Sequence, residues 1–147
     1  MPDTSPDKTY DPNNIFAKIL AGEIPCHKVY EDAKSFAFMD IMPRTEGHTL
    51  VIPKAPARNV LDAGDADLAA VIATVKRVAN AAIEALGADG ITLMQFNEPA
   101  SGQEVYHLHF HVMPRWDGER LKPPASEMAD NDKLAAVAAK LRAALEG

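Results

Sequence analysis

Three of the five histidines in this 147-residue chain stand at positions 107, 109 and 111, in the run His107-Leu108-His109-Phe110-His111-Val112. Side chains alternate between the two faces of a strand. This spacing therefore predicts three imidazoles on one face and Leu108, Phe110 and Val112 on the other. The apolar set can bury in a core, while imidazoles along a groove can attack, donate hydrogen bonds and shuttle protons, as phosphate chemistry requires. A metal site is a second use of such a row. However, Cα atoms four residues apart on a strand are about 13 Å distant, too far for all three rings to close on one ion with bonds of about 2 Å. A further ligand such as His48 is then needed. The third reading is a solvated strand, or core histidines with a partner for every nitrogen.

The elements that must position these residues can be read from periodicity and punctuation. Asn13 or Asn14 can cap a short helix carrying Ile15, Phe16, Ile19 and Leu20, stopped by Gly22. Short β-type runs follow at 28–30, 36–39 and 49–52, separated by turn-forming stretches at 32–34 and 43–47. Leu68, Val71, Ile72, Val75, Ala79, Ala82, Ile83 and Leu86 keep helical spacing between Asp65 and Gly87. Two further strands are predicted over 91–96 and 105–113, joined by the loop 97–104. A last amphipathic helix, about 130–146, carries Leu134, Val137, Ala138, Leu141 and Leu145 on one face. Helix, three strands, long helix, two strands and helix make an α+β chain with a five-stranded antiparallel sheet, the short loops suiting a meander and a hairpin rather than parallel crossovers.

The length fits one domain, here 13–147 after a Pro- and Asp-rich stretch at 1–12 that reads as a mobile tail. A hydrophobic fraction of 47% and a charged fraction of 24% are those of a globular protein. The net charge of -6 argues against wrapping a nucleic-acid polymer but not against a small phosphate ligand. The single cysteine, Cys26, leaves no intrachain disulfide. With no apolar leader in the opening residues and no run of membrane-spanning length, the reading is a cytoplasmic protein with no membrane partner.

The run Gly102 to Arg115, GQEVYHLHFHVMPR, resembles the His-x-His-x-His signature of the histidine-triad (HIT) family. The similarity continues in family order through Ile15-Phe16-Ala17-Lys18-Ile19, Glu23-Ile24-Pro25, Met39-Asp40-Ile41, Gly47-His48 to Lys54, and Asn97, so that it spans 14–116. It looks most like the bacterial Hint-type branch. The resemblance implies a HIT fold, a homodimer and no cofactor. The implied reaction is cleavage at the α-phosphate of a purine nucleoside phosphoramidate through a nucleotidyl-histidine. A dinucleoside polyphosphate hydrolase, or a nucleotide-binding regulatory module with little turnover, is the alternative.

Residue by residue, His109 matches the nucleophile and His111 the α-phosphate donor, with His107 and His48 as supporting histidines. Gly102, Gln103 and Asn97 match phosphate-side positions. Asp40 and the adjoining Ile41 match the ribose site, and a carboxylate can accept from both ribose hydroxyls. Ile15, Phe16, Ile19 and Ile24 match an apolar base pocket, although their spacing alone suits the core face of a helix. Glu104 stands where Hint-type relatives often carry Ser, next to the departing group. Relatives with a zinc site carry two cysteines where this chain has Asn14 and Ala17, so no metal is expected.

Overall fold

The computed structural model describes residues 8–146. Of the predicted tail, residues 1–7 lie outside that range, whereas Tyr10 is placed against the histidine row. The order along the chain is α1 (Ile15–Leu20), β1 (Lys28–Glu31), β2 (Ser35–Met39), β3 (Thr49–Pro53), α2 (Asp65–Leu86), β4 (Gly90–Met94), a 3-10 turn (Pro99–Ser101), β5 (Phe110–Arg115) and α3 (Asn131–Glu146). The strands form one sheet in the order β1-β2-β3-β5-β4, and every neighbouring pair is antiparallel.

The long helix is built as its ends predict. Asp65 and Asp67 place negative charge in the first turn of α2, where the helix dipole favours it. Gly87 ends the helix in the left-handed region (φ +66°), with its N–H on the Ile83 carbonyl. Its buried stripe is Val71, Val75, Val78, Ala81 and Ala82. Ile72 (48% exposed) and Ile83 (40% exposed), which keep the same helical spacing, lie on the outer side.

Strand β2 is an interior strand covered on both sides, so it reads as a continuous buried run rather than an alternating one. Ala37 and Met39 meet α2 and α3 in the larger core with Val29, Val51, Val112, Leu134, Val137 and Leu141. Phe36 and Phe38 face the other way and pack with Phe16, Leu50 and Ile52. The sheet thus has a structural face under α2 and α3, and a second face lightly covered by α1.

Two differences from the sequence reading bear on the site. Strand β5 begins at Phe110, not Val105, so His107 and His109 precede the ladder. The Leu108 N–H bonds the Ala57 carbonyl and the Tyr106 hydroxyl bonds the Gln103 carbonyl, which holds this stretch against the segment after β3. Strand β4 stops at Met94, not Phe96. The Gln95 and Asn97 amides bond each other, and Asn97 N–H turns to the Ser101 hydroxyl, so the chain leaves the ladder there. A third difference is topological. β3 and β4 each run antiparallel to β5, hence parallel to one another, and α2 is the crossover that joins them with β5 lying between.

Candidate active site

The site lies on the α1 side of the sheet, where the register fixes a row across three strands: Leu50 on β3 pairs with His111 on β5, which pairs with Met94 on β4. Phe16 reaches from α1 and meets the His109 ring edge-on at 4.9 Å between centroids. Asn14 caps α1 through its side-chain oxygen on the Ala17 N–H, which fixes the helix in that position. His48 enters from the turn before β3. Gly47 holds a backbone φ of +83°, which strains any other residue, and a Cβ there, 2.5 Å from Leu86 Cδ1, would also push the end of that side chain aside.

The hydrogen bonds dictate the tautomer of every ring. His109 Nδ1 lies 2.7 Å from the His107 carbonyl, an acceptor only, so Nδ1 carries the proton and Nε2 the lone pair. His107 Nε2 donates to the Pro53 carbonyl (2.8 Å) and its Nδ1 accepts from the Tyr10 hydroxyl (2.7 Å). His48 Nδ1 accepts from the Arg44 backbone N–H (3.1 Å), so its proton is on Nε2 and is donated to His111 Nδ1 (3.0 Å). His111 is left with Nε2–H as a donor. The arrangement therefore presents one nucleophilic nitrogen and one donor on neighbouring rings, whose centroids are 5.1 Å apart.

All four rings are neutral near pH 7. Burial holds His109 down to about 4 and His48 to about 4, with the Arg44 charge adding to the latter. Burial and the neighbouring His109 take His111 down to about 3, and burial also lowers His107. The 3.5 Å approach of His48 Nε2 to Asp40 Oδ2 is accordingly a shared N–H contact and not an ion pair. Burial raises Asp40 itself, while a 2.8 Å bond from the Met42 N–H to Oδ1 opposes that rise. A lone pair on His109 thus persists well into acid. The unfolded rings titrate near 6.5, so between about pH 6.5 and 4 the unfolded chain binds more protons and stability falls as pH falls. We expect NMR titration of the ring carbons to give midpoints for His48, His109 and His111 well below 6.5. A His109 midpoint at or above 6.5 would contradict this geometry.

Asp40, His48 and His111 each place a possible ligand atom within 4.8 Å of the others. They do not suit a metal ion. An ion on His48 Nε2 needs the lone pair there while Nδ1 still accepts from the Arg44 N–H, which demands an imidazolate or strands a buried donor. His48 Nε2–H donates instead to His111 Nδ1 and lies 3.5 Å from Asp40 Oδ2.

The loop 97–104 is held by a network that sequence reasoning missed. Buried Arg58 (2% exposed) clamps Glu98 with Nε and Nη2, both at 2.9 Å. Asn59 Nδ2 bonds Glu98 Oε2 (2.6 Å) and Gln103 Oε1 (3.1 Å), and Gln103 Nε2 returns to the Arg58 carbonyl. Glu98 sits at φ +75°, a conformation that costs a non-glycine residue energy and that these bonds impose. Gly102, at φ +101°, reverses the chain above Phe96. Arg58 and Asn59 stand in an irregular stretch with no periodicity to flag them, and Tyr10 lies in the run read as a tail.

Other predicted site residues are scattered more loosely. Gln103 is buried and its amide is spent on the loop, as is that of Asn97, whose oxygen accepts from the Val60 N–H. Phe16 is buried and Ile19 and Ile24 half-buried, whereas Ile15 and Ile41 are exposed at 47% and 46%. Glu104 is exposed and beyond the network that holds Gln103.

The HIT domain family matches residues 21–118, from the end of α1 through β5. The chain belongs to the HIT family. The adenosine 5'-monophosphoramidase of Saccharomyces cerevisiae is 39% identical to this HIT protein over 142 residues, covering 95% of this chain and 87% of that one. An adenylylsulfatase of Arabidopsis thaliana is 35% identical over 114 residues, 74% of this chain and 58% of that one. The crystal structure of a HIT-like protein from Bartonella henselae superposes with a TM-score of 0.87 at 53% identity, over 92% of this chain and 99% of that one. The HIT fold is therefore shared well beyond the signature, and α3 lies outside the matched domain. Among the described residues no helix is long and apolar enough to cross a membrane.

Proposed function

We propose that this HIT protein hydrolyses the bond between the α-phosphate of a purine nucleoside and its leaving group, through a nucleotidyl-His109 intermediate, with a phosphoramidate as the first substrate to test. The observation that carries this reading is the 2.7 Å bond from His109 Nδ1–H to the His107 carbonyl, which leaves Nε2 unprotonated beside a donor on His111. The names of the yeast and plant relatives support hydrolysis at an adenosine phosphate as the reaction class.

His109 Nε2 gives its lone pair to the α-phosphorus, and the bond to the leaving group breaks with its electron pair on the departing atom. That atom takes up one proton. The His109 ring, now cationic, strengthens its bond to the His107 carbonyl, because charge-assisted hydrogen bonds are the stronger kind. Water then adds to phosphorus and the P–N bond to His109 breaks. The hydroxyl stays on the phosphate and the water's other proton replaces the one consumed. His111 Nε2–H donates to the phosphate oxygen on which charge grows. Asp40 Oδ2 accepts from the ribose hydroxyls, and Phe16 with Ile19 and Ile24 lies against the base. Two copies pair along the edge strand β4, where Leu93 is exposed, and the chain works in the reducing cytoplasm, which suits the free Cys26.

The test is a hydrolysis panel under exhaustive chelation: adenosine and guanosine phosphoramidates, a diadenosine polyphosphate, and a 2',3'-dideoxy phosphoramidate. Turnover of the phosphoramidates without metal is expected, with the dideoxy analogue losing roughly tenfold or more for want of its bonds to Asp40. Turnover that vanishes on chelation and returns with stoichiometric zinc would place the reaction in another class.

A further inference from the structure

The histidine row has a nucleoside side and an opposite side, and the second is basic. Phe16, Phe38, Leu50 and Ile52 mark the first, over β2 and β3. Beyond His111, over β4, lies Met94, and Arg44 Nη1 rests on its sulfur at 3.7 Å. Arg44 also donates Nε to the Lys122 carbonyl (2.7 Å), which leaves most of its guanidinium N–H groups uncommitted. Behind it a groove of about 320 Å³ opens, lined by Arg44, Arg115, Arg120 and Lys122 and by the acidic Glu46 and Glu119. Among the described residues none of the three arginines forms an ion pair. Lys122 alone is paired, with Glu127. In a chain of net charge -6 such a cluster is the exception.

Arg44 is tied to the reacting histidines. Its backbone N–H sets the tautomer of His48, and its charge is among the influences that keep His48 and His111 unprotonated. A half-buried guanidinium without a carboxylate is poorly compensated unless a ligand brings the negative charge.

We propose that this groove is an anion subsite contiguous with the histidine row, and that Arg44 is the residue selecting substrates whose group beyond the α-phosphate is itself a phosphate or sulfate. The proposal rests on the nucleotide reading above and extends it to the leaving group. The guanidinium forks onto the distal anion and stays there as the α-phosphate bond breaks. Arg120, exposed and at the far wall, adds a second charge for longer chains.

The same arginine also fastens the connector after β5, since the Lys122 N–H bonds the Arg44 carbonyl at 2.8 Å. The experiment therefore compares ligands instead of variants alone. Calorimetry on His109→Asn protein, which binds without turnover, gives the affinity ratio of ADP to AMP in the absence of metal. With the groove intact ADP is expected to bind about tenfold or more tighter than AMP, in proportion to one charge-assisted bond. That ratio should fall toward one in Arg44→Gln, stay largely intact in Arg44→Lys, and decline with added salt. AMP affinity should stay within about threefold. Arg120→Gln, which removes no fastening bond, should lower the preference for ATP over AMP and decides the matter if Arg44→Gln does not fold. Equal losses for ADP and AMP, or ratios unchanged in both variants, would overturn the subsite while leaving the nucleotide reading intact. Failure of AMP to bind at all would sink both.

Discussion

Replacing His109 with Asn should lower turnover of an adenosine phosphoramidate by roughly three orders of magnitude or more, while AMP affinity stays within about tenfold. The amide can still donate toward the His107 carbonyl, so the loop before β5 keeps its bond. What disappears is the nitrogen lone pair that the carbonyl holds in place, and no other group in the site offers one in the same position. His107 has both nitrogens committed to Pro53 and Tyr10, and His111 presents a proton. Rapid-quench labelling should show radioactive nucleotide on the parent protein after denaturation and none on the variant. A variant that kept a tenth of the parent rate would assign the attack to water, with His109 as a bystander.

The largest effect on stability is expected away from the rings. Arg58→Met should cost about 1.5–3 kcal/mol, since it strips the half-buried Glu98 carboxylate of its charge-assisted hydrogen bonds from the guanidinium. For a chain of this size that corresponds to a fall in Tm on the order of 10 °C. Stacking on Tyr106, whose ring centroid lies 4.4 Å from the guanidinium, is lost with it. Arg58 holds Glu98 below the usual carboxylate range, so this contribution is present near neutrality and lost as pH falls through the depressed value. The difference in Tm between parent and variant should therefore shrink in acid. Thermal scans at pH 7 and pH 4 test both statements, and a shift of only a degree or two at pH 7 would show that the clamp is dispensable.

Much of the architecture was legible because it rests on patterns of period 2 and 3.6. The run from Leu68 to Leu86 could be nothing but a helix, and Gly87 marked its end. The strands at 28–31, 35–39 and 49–53 were bounded by turn residues. What could not be read was where pairing stops. His107 and Leu108 look like strand residues, yet side-chain and backbone bonds to the 53–58 segment pull them off the ladder. Alternation holds for His109 and His111 against Phe110 and Val112, but the protonation of His109 and His48 is set by the His107 carbonyl and the Arg44 N–H. Neither has a sequence signature, for any residue supplies a carbonyl or an N–H. The roles of Arg58, Asn59 and Arg44 were hidden for a related reason, as their partners lie about 40 or more positions away in the chain.

The order of the strands has a consequence for how the molecule comes to be active. β5 is the last strand in the chain, yet it occupies the slot between β3 and β4, which the α2 crossover leaves open. Until it inserts, both flanking strands show unpaired edges and the Leu50–His111–Met94 row does not exist. Contacts between β3 and β5 bridge about sixty positions, a separation that slows folding because a long loop must close before its ends are rewarded. Pairing of β5 thus also brings His111 between Leu50 and Met94 and so completes the floor of the proposed site. On the proposed reading, a copy whose β5 has not yet paired lacks its site by topology alone, with no need for an inhibitor.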